Sequence, residues 1–200
     1  MPAMKSQDPK LTTTALIANP TLFLSTLGQN PSIRPGLMWH MVAALSLVAL
    51  VTVGSQEAYE VFVRDADVDL GSFGVWVLSL VVATLAGMIY LFVILAGGIV
   101  LKGFLWFVPQ SISIRLATSI WVIATIPTAI RTTALSALGL VAGIEAVGER
   151  LRPVPFVDPV LIATSGILYV ALRKALRVDR RRAGTVVLAL HTFNSLMLLV

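Results

Sequence analysis

Arg131 lies inside an apolar run, four residues after Pro127. A charged side chain at the centre of a bilayer costs ~2.5–3.5 kcal/mol on insertion scales. Its guanidinium must therefore face the interior of a helix bundle, face an aqueous cavity, or snorkel. Pro127 has no backbone N–H, so the carbonyl of Ile123, four residues back, loses its usual helical donor. A kink there could open a polar pocket. Two chemistries fit. One is an anion, headgroup or gating site. The other is a structural Arg bonded to freed carbonyls or to an acid at the outer edge. His191 and Asn194 share one face of the last apolar run at i, i+3 spacing, and His40 lies in the first. Together, Arg131, Pro127, His191, Asn194 and His40 make a candidate intramembrane polar site. Such groups serve a proton or ion relay, or they hydrogen-bond across helices and fix packing.

Other patterns carry less chemistry. Gly139 and Gly143 form a GxxxG with Ser136 on the same face. Small residues there allow close helix packing, within the monomer or between copies. Asp65, Asp67 and Asp69 alternate like the start of a calcium loop. The EF-hand pattern then needs Gly at position 6 and Glu at position 12. Leu70 and Trp76 stand there instead, so a solvated loop is expected. Arg173, Lys174, Arg177, Arg180, Arg181 and Arg182 crowd one turn. Each basic residue near an anionic leaflet adds ~1 kcal/mol of attraction, so this turn is a candidate lipid contact. No phosphate-cradling loop, nucleophile elbow or pair of intramembrane carboxylates is present. The chain has no cysteine, which excludes disulfides and thiolate sites. Two histidines without an acid beside them make a poor metal site. The expectation is a protein that is not an enzyme, with no catalytic residue, metal or cofactor.

The elements that position these residues follow from composition. The chain has 200 residues, 57% hydrophobic and only 12% charged, with a mean hydropathy of +0.90. Soluble chains run near 25% charged. An all-α integral membrane protein is expected, and a span needs ~20 apolar residues. Five runs qualify, at about 35–54, 73–101, 116–144, 157–176 and 183–200. The third is interrupted by Pro127 and Arg131. It is either one kinked span or a re-entrant pair, 116–130 and 132–144. Charge decides for one span. That topology puts eleven of the fifteen Lys and Arg on one side, with Arg64, Arg150 and Arg152 on the other. The positive-inside rule then sets the N-terminus in the cytoplasm and the C-terminus outside. Eight of the ten acids fall outside. The net charge of +5 is therefore a topology signal rather than a sign of nucleic-acid binding.

Residues 1–34 precede the first span. Met1–Leu11 does not have the pattern of a cleaved signal peptide. Asn19-Pro20 reads as an N-cap followed by Pro at the first helical position, and Gly28 reads as the helix end. Leu22, Phe23, Leu24 and Leu27 lie between. This short helix is expected either in the cytoplasmic membrane interface or packed on the cytoplasmic end of the bundle. We take the interfacial placement as the expectation.

The order of these features resembles the Yip (Ypt-interacting protein) domain family, in particular its prokaryotic branch. The matching features are the Asn19-Pro20-Phe23 helix, the Gly97-Gly98 pair late in the second run, Arg115 followed twelve residues later by Pro127, and two close C-terminal spans joined by a basic turn. The resemblance covers about residues 15–200. It implies a five-span protein of the plasma (inner) membrane with a cytosolic N-terminus and no known catalysis. Eukaryotic members act in vesicle traffic with Rab-type GTPases. This chain has no Asp-Leu-Tyr-Gly-Pro segment ahead of its spans, which argues against GTPase binding here. The implied role is membrane organisation or scaffolding, with membrane lipids, a second copy or another membrane protein as partners. A small channel, transporter or transporter subunit built around Arg131 is the alternative.

Overall fold

The computed structural model describes residues 13–54, 56–65, 71–108, 111–143 and 156–197. Every regular element among them is helical. The first two are α1 (Thr13–Ala18) and α2 (Pro20–Gln29). Asn19 caps α2 as its sequence predicts, with Oδ1 accepting the Leu22 N–H at 3.1 Å. The expected stop at Gly28 does not occur, and the helix runs to Gln29. Gly28 is instead a contact residue, since a Cβ there would run into the Ala175 carbonyl. It lets two helices touch backbone to backbone. Of the two placements expected for α2, its burial fits packing on the bundle. Phe23, Leu24 and Leu27 are buried in protein, because the C-terminal helices cover that face.

Next come α3 (Arg34–Gly54), α4 (Gln56–Asp65) and α5 (Gly71–Phe104), the last closed by a 3-10 turn at Leu105–Phe107. At 34 residues α5 is ~51 Å long, well beyond the ~30 Å hydrocarbon layer. The chain after α3 forms α4, which ends at Asp65, the first acid of the expected solvated loop. It is amphipathic, burying Val63 and exposing Glu60 and Arg64, and it packs on α5. Asp67 and Asp69 lie outside the described residues, as do Glu145, Glu149, Arg150 and Arg152.

The third apolar run is two helices, α6 (Ile114–Ala124) and α7 (Ile126–Ala142), bent by 44°. The break falls at Thr125, not at Arg131. The C-terminal pair is α8 (Pro159–Ala175) and α9 (Arg180–Met197). By length and composition α3 and α5 can each cross a membrane, and α6–α7 can form a third, broken span. With 17 residues, α8 falls below that length, and α9 opens on three arginines. The described residues are thus all-helical, with two or three helical segments long and apolar enough to cross a membrane.

Two zones make up the packing. In the first, α3 lies between α5 and α7. The His40–Tyr90 and Ala44–Gly87 contacts make α3 and α5 antiparallel. Met41, Leu45, Leu85, Met88 and Phe92 point outward, as apolar side chains do against hydrocarbon. In the second zone a dry core joins α2, α6, α8, α9 and the end of α5 through Leu27, Leu101, Ile120, Leu168, Leu172 and Leu190. The joint between the zones is α6. Its close approach to α5 requires Gly97 and Gly98, where a Cβ would enter the Trp121 ring and the Thr118 backbone and side chain respectively.

The small-residue stripe on α7 is partly corrected. Ser136 and Gly139 are buried, on a helix that packs along α3. Gly143 packs against nothing within this chain. It is exposed and caps the helix at φ 88°, with open space around it and its N–H on the Gly139 carbonyl at 2.9 Å.

Candidate functional site

The helix break is built from hydrogen bonds rather than from Pro127 alone. Pro127 sits in the first turn of α7, where its missing N–H has no helical partner to lose. The turn closes at Thr125, whose N–H and hydroxyl both donate to the Trp121 carbonyl, at 3.0 and 2.9 Å. The carbonyl met from another helix is that of Val122, 3.1 Å from His40 Nε2. His40 is fully buried. A carbonyl only accepts, so Nε2 carries the proton in the neutral ring, and Nδ1 accepts from the Tyr90 hydroxyl at 2.9 Å. The Thr125 hydroxyl oxygen is also 3.1 Å from Nε2. Tyr90 is further hydrogen-bonded to the Thr132 side chain. One imidazole thus ties α3 and α5 to both sides of the break. Chemically this arrangement fixes a bend.

Arg131 belongs to a second cluster. Its NH1 lies 2.6 Å from Asp158 Oδ2, with Asp158 3% and Arg131 25% exposed. The other oxygen, Oδ1, accepts the Val160 and Leu161 N–H groups at 2.8 and 3.2 Å. Asp158 is therefore both the N-cap of α8 and the counter-charge of Arg131. The acid expected as a partner of Arg131 is thus observed.

His191 acts two residues away on the same short turn. Its Nε2 is 3.0 Å from the Phe156 carbonyl, and its Nδ1 is 2.9 Å from the Ser165 hydroxyl. Ser195, one helical turn on, accepts the Phe156 N–H at 3.2 Å. Phe156 has φ 68°, a left-handed conformation that costs ~1–2 kcal/mol for a residue with a side chain. His191 and Ser195 hold it there by both its backbone polar groups. No hydrogen bond among the described residues involves the Asn194 side chain.

The five residues of the candidate polar site therefore do not converge. His40 sits at the helix break, with Pro127 in the turn that follows. Arg131 and His191 meet the turn that starts α8. Tyr90, Thr125, Ser165 and Ser195 are the partners that sequence reasoning missed. Tyr90 had a signal, since a phenol within an apolar helix needs a partner for its O–H.

The basic turn between α8 and α9 is exposed at Lys174, Arg177, Arg180, Arg181 and Arg182. Arg173 folds back, donating to the Val178 carbonyl at 2.9 Å. Asp179 accepts the Arg182 N–H at 3.0 Å, and that bond above all holds its carboxyl below the usual carboxylate range. Arg182 also pairs with it at 3.3 Å. The turn presents a cationic surface suited to anionic headgroups.

An apolar groove of about 530 Å³ opens between α2, the α6–α7 break and α8. Ile130 lines it and Arg131 does not. The chain matches no family model, no curated protein and no solved structure.

Proposed function

We infer that this chain is a noncatalytic integral membrane protein that organises the membrane or scaffolds a partner, with no enzymatic step and no cofactor. One observation carries this reading: Arg131, His40 and His191 each have polar partners within the protein. Arg131 meets Asp158, His40 meets Tyr90 and Val122, and His191 meets Ser165 and Phe156. Groups used in this way fix helix packing. The exposed apolar faces of α3 and α5 and the exposed basic turn support a role directed at lipid. The charge distribution supports five spans, at α3, α5, α6–α7, α8 and α9, with the N-terminus cytoplasmic and the C-terminus outside. The Yip-like resemblance supports a prokaryotic plasma membrane. Membrane lipids, a second copy or another membrane protein are the partners this role needs.

Purification in mild detergent tests the role. A reproducible partner or retained lipid supports it, and a lone, lipid-free monomer overturns it. The topology has its own test, because the chain has no native cysteine. Single cysteines at Asp67 and Arg150 should react with an impermeant maleimide from outside. Those at Gln110 and Arg177 should react only after permeabilisation.

The helix break favours a second reading, a small channel, transporter or transporter subunit, since a 44° bend beside buried His40 is a place for a gate. Arg131→Leu tests the Arg-centred form of this reading. An Arg-centred pathway requires that flux in reconstituted vesicles falls with this change while the fold is kept.

A further inference from the structure

The groove between α2 and α8 has a shape and chemistry of its own. Its floor is a continuous apolar stripe across the helix break, Ile123, Ile126, Pro127 and Ile130. Its walls are Pro20 and Leu24 of α2, and Ile167 and Val170 of α8. The two walls touch at one end, where Gly28 meets the Ala175 carbonyl, and part toward Gly166. A Cβ at Gly166 would meet nothing within 4 Å, so the space beside it is open. Almost the whole lining is apolar, and the volume suits a small molecule.

The α8 wall continues into charge. Gly166, Val170 and Lys174 follow at i, i+4 and i+8, one stripe on a helix. Lys174 is exposed, and the arginines of the α8–α9 turn come next. An occupant of this groove has hydrocarbon along Gly166 and Val170 and an anion at Lys174. The surroundings supply such a molecule, since the neighbouring faces of α3 and α5 are those of a membrane protein. We propose that the groove binds one acyl chain of an anionic membrane phospholipid, whose phosphate is held by Lys174. The proposal rests on the membrane reading of the chain and not on a scaffolding role.

The test is native mass spectrometry of the delipidated full chain, titrated with dioleoyl phosphatidylglycerol and, separately, with dioleoyl phosphatidylcholine. The expected result is one tightly held phosphatidylglycerol per chain. Gly166→Phe should abolish this binding by filling the groove. Lys174→Gln should weaken phosphatidylglycerol about fivefold, the weight of one basic residue at an anionic surface, and weaken phosphatidylcholine less, since its choline offsets the phosphate charge. Ile130→Trp fills the same groove from α7 and replaces Gly166→Phe if that variant does not fold. Wild-type affinity in a folded groove-filled variant overturns the proposal. So does tighter binding of oleate than of the phospholipid. So does binding that appears only when residues 2–12 are deleted, which would make the chain's own N-terminus the occupant. Carbonate extraction keeps the failures apart. A protein released by carbonate fails the membrane reading, whereas an integral one that holds no lipid fails only this proposal.

Discussion

The Arg131 guanidinium stands 2.6 Å from Asp158, 27 residues later in the chain. The same carboxylate caps α8. One acid therefore anchors the start of α8 to the middle of the third apolar run.

Asp158→Ser should separate the two duties, because Ser keeps a capping oxygen but removes the acid that Arg131 meets. Breaking a buried ion pair costs ~3–5 kcal/mol. The low end is expected here, since Arg131 is a quarter exposed. Asp158→Ala should cost ~1 kcal/mol more through the lost cap. Unfolding in mixed micelles with rising SDS measures both. Equal stability of the two variants would show that the cap contributes nothing.

His40→Ala should destabilise the chain by ~1–3 kcal/mol, because it leaves the Val122 carbonyl and the Tyr90 hydroxyl without their imidazole partner. Tyr90→Phe should cost only ~1 kcal/mol. The double variant should fall short of the sum by ~0.5 kcal/mol or more, as for residues in one network. Strict additivity in a double-mutant cycle would mean that the His40–Tyr90 bond carries no energy.

Gly97→Ala should cost ~1–3 kcal/mol by overpacking against the Trp121 ring. Trp121→Leu should make the same change tolerable. Gly184→Ala is the control, since a Cβ there meets nothing within 4 Å. In α9 it should gain ~0.5–1 kcal/mol from helix propensity. Thermal melting in detergent ranks the four variants.

Arg177 has φ 53° and is exposed in the basic turn. Arg177→Gly should stabilise by ~1 kcal/mol by relieving the left-handed strain, and Arg177→Val should do the reverse. A drop in melting temperature for the Gly variant would mean that the Arg side chain itself holds the turn.

Asp179 should make the first turn of α9 pH-sensitive. Its carboxyl is held below the ordinary range by the Arg182 N–H. A carboxyl lowered in the folded state contributes stability that is complete above its unfolded value. That contribution is lost as pH falls through the folded one. Hydrogen exchange at the Arg182 amide should accelerate at acid pH, once the intrinsic rate is corrected for. Asp179→Asn should remove that acceleration.

Local signals in the sequence were legible. Asn19 caps α2, α3 begins and ends within a residue of its predicted run, and Asp158 was the one acid placed at the edge of a span. What depended on tertiary partners was not legible. Gly28 looked like a helix end because Gly commonly is one. Only the neighbouring α8 makes it a contact surface. Pro127 drew attention to Ile123, but the bond that stabilises the bend comes from His40, 82 residues before Val122. The acids after α3 concealed α4, whose single face needs α5 to bury it. Apolar periodicity shows which helices meet lipid, but not which of them meet each other.

The core around Leu27 also sets an order of events in synthesis. Leu27 packs in one cluster with Leu168, 141 residues later in the chain. At ~5–20 residues per second, Leu27 is made roughly 7–28 s before Leu168 exists. During that interval Phe23, Leu24 and Leu27 have only the α5 and α6 members of the cluster to cover them. The amphipathic pattern that reads as a membrane-surface helix suits this wait. The core around Leu27 closes only when the last helices emerge.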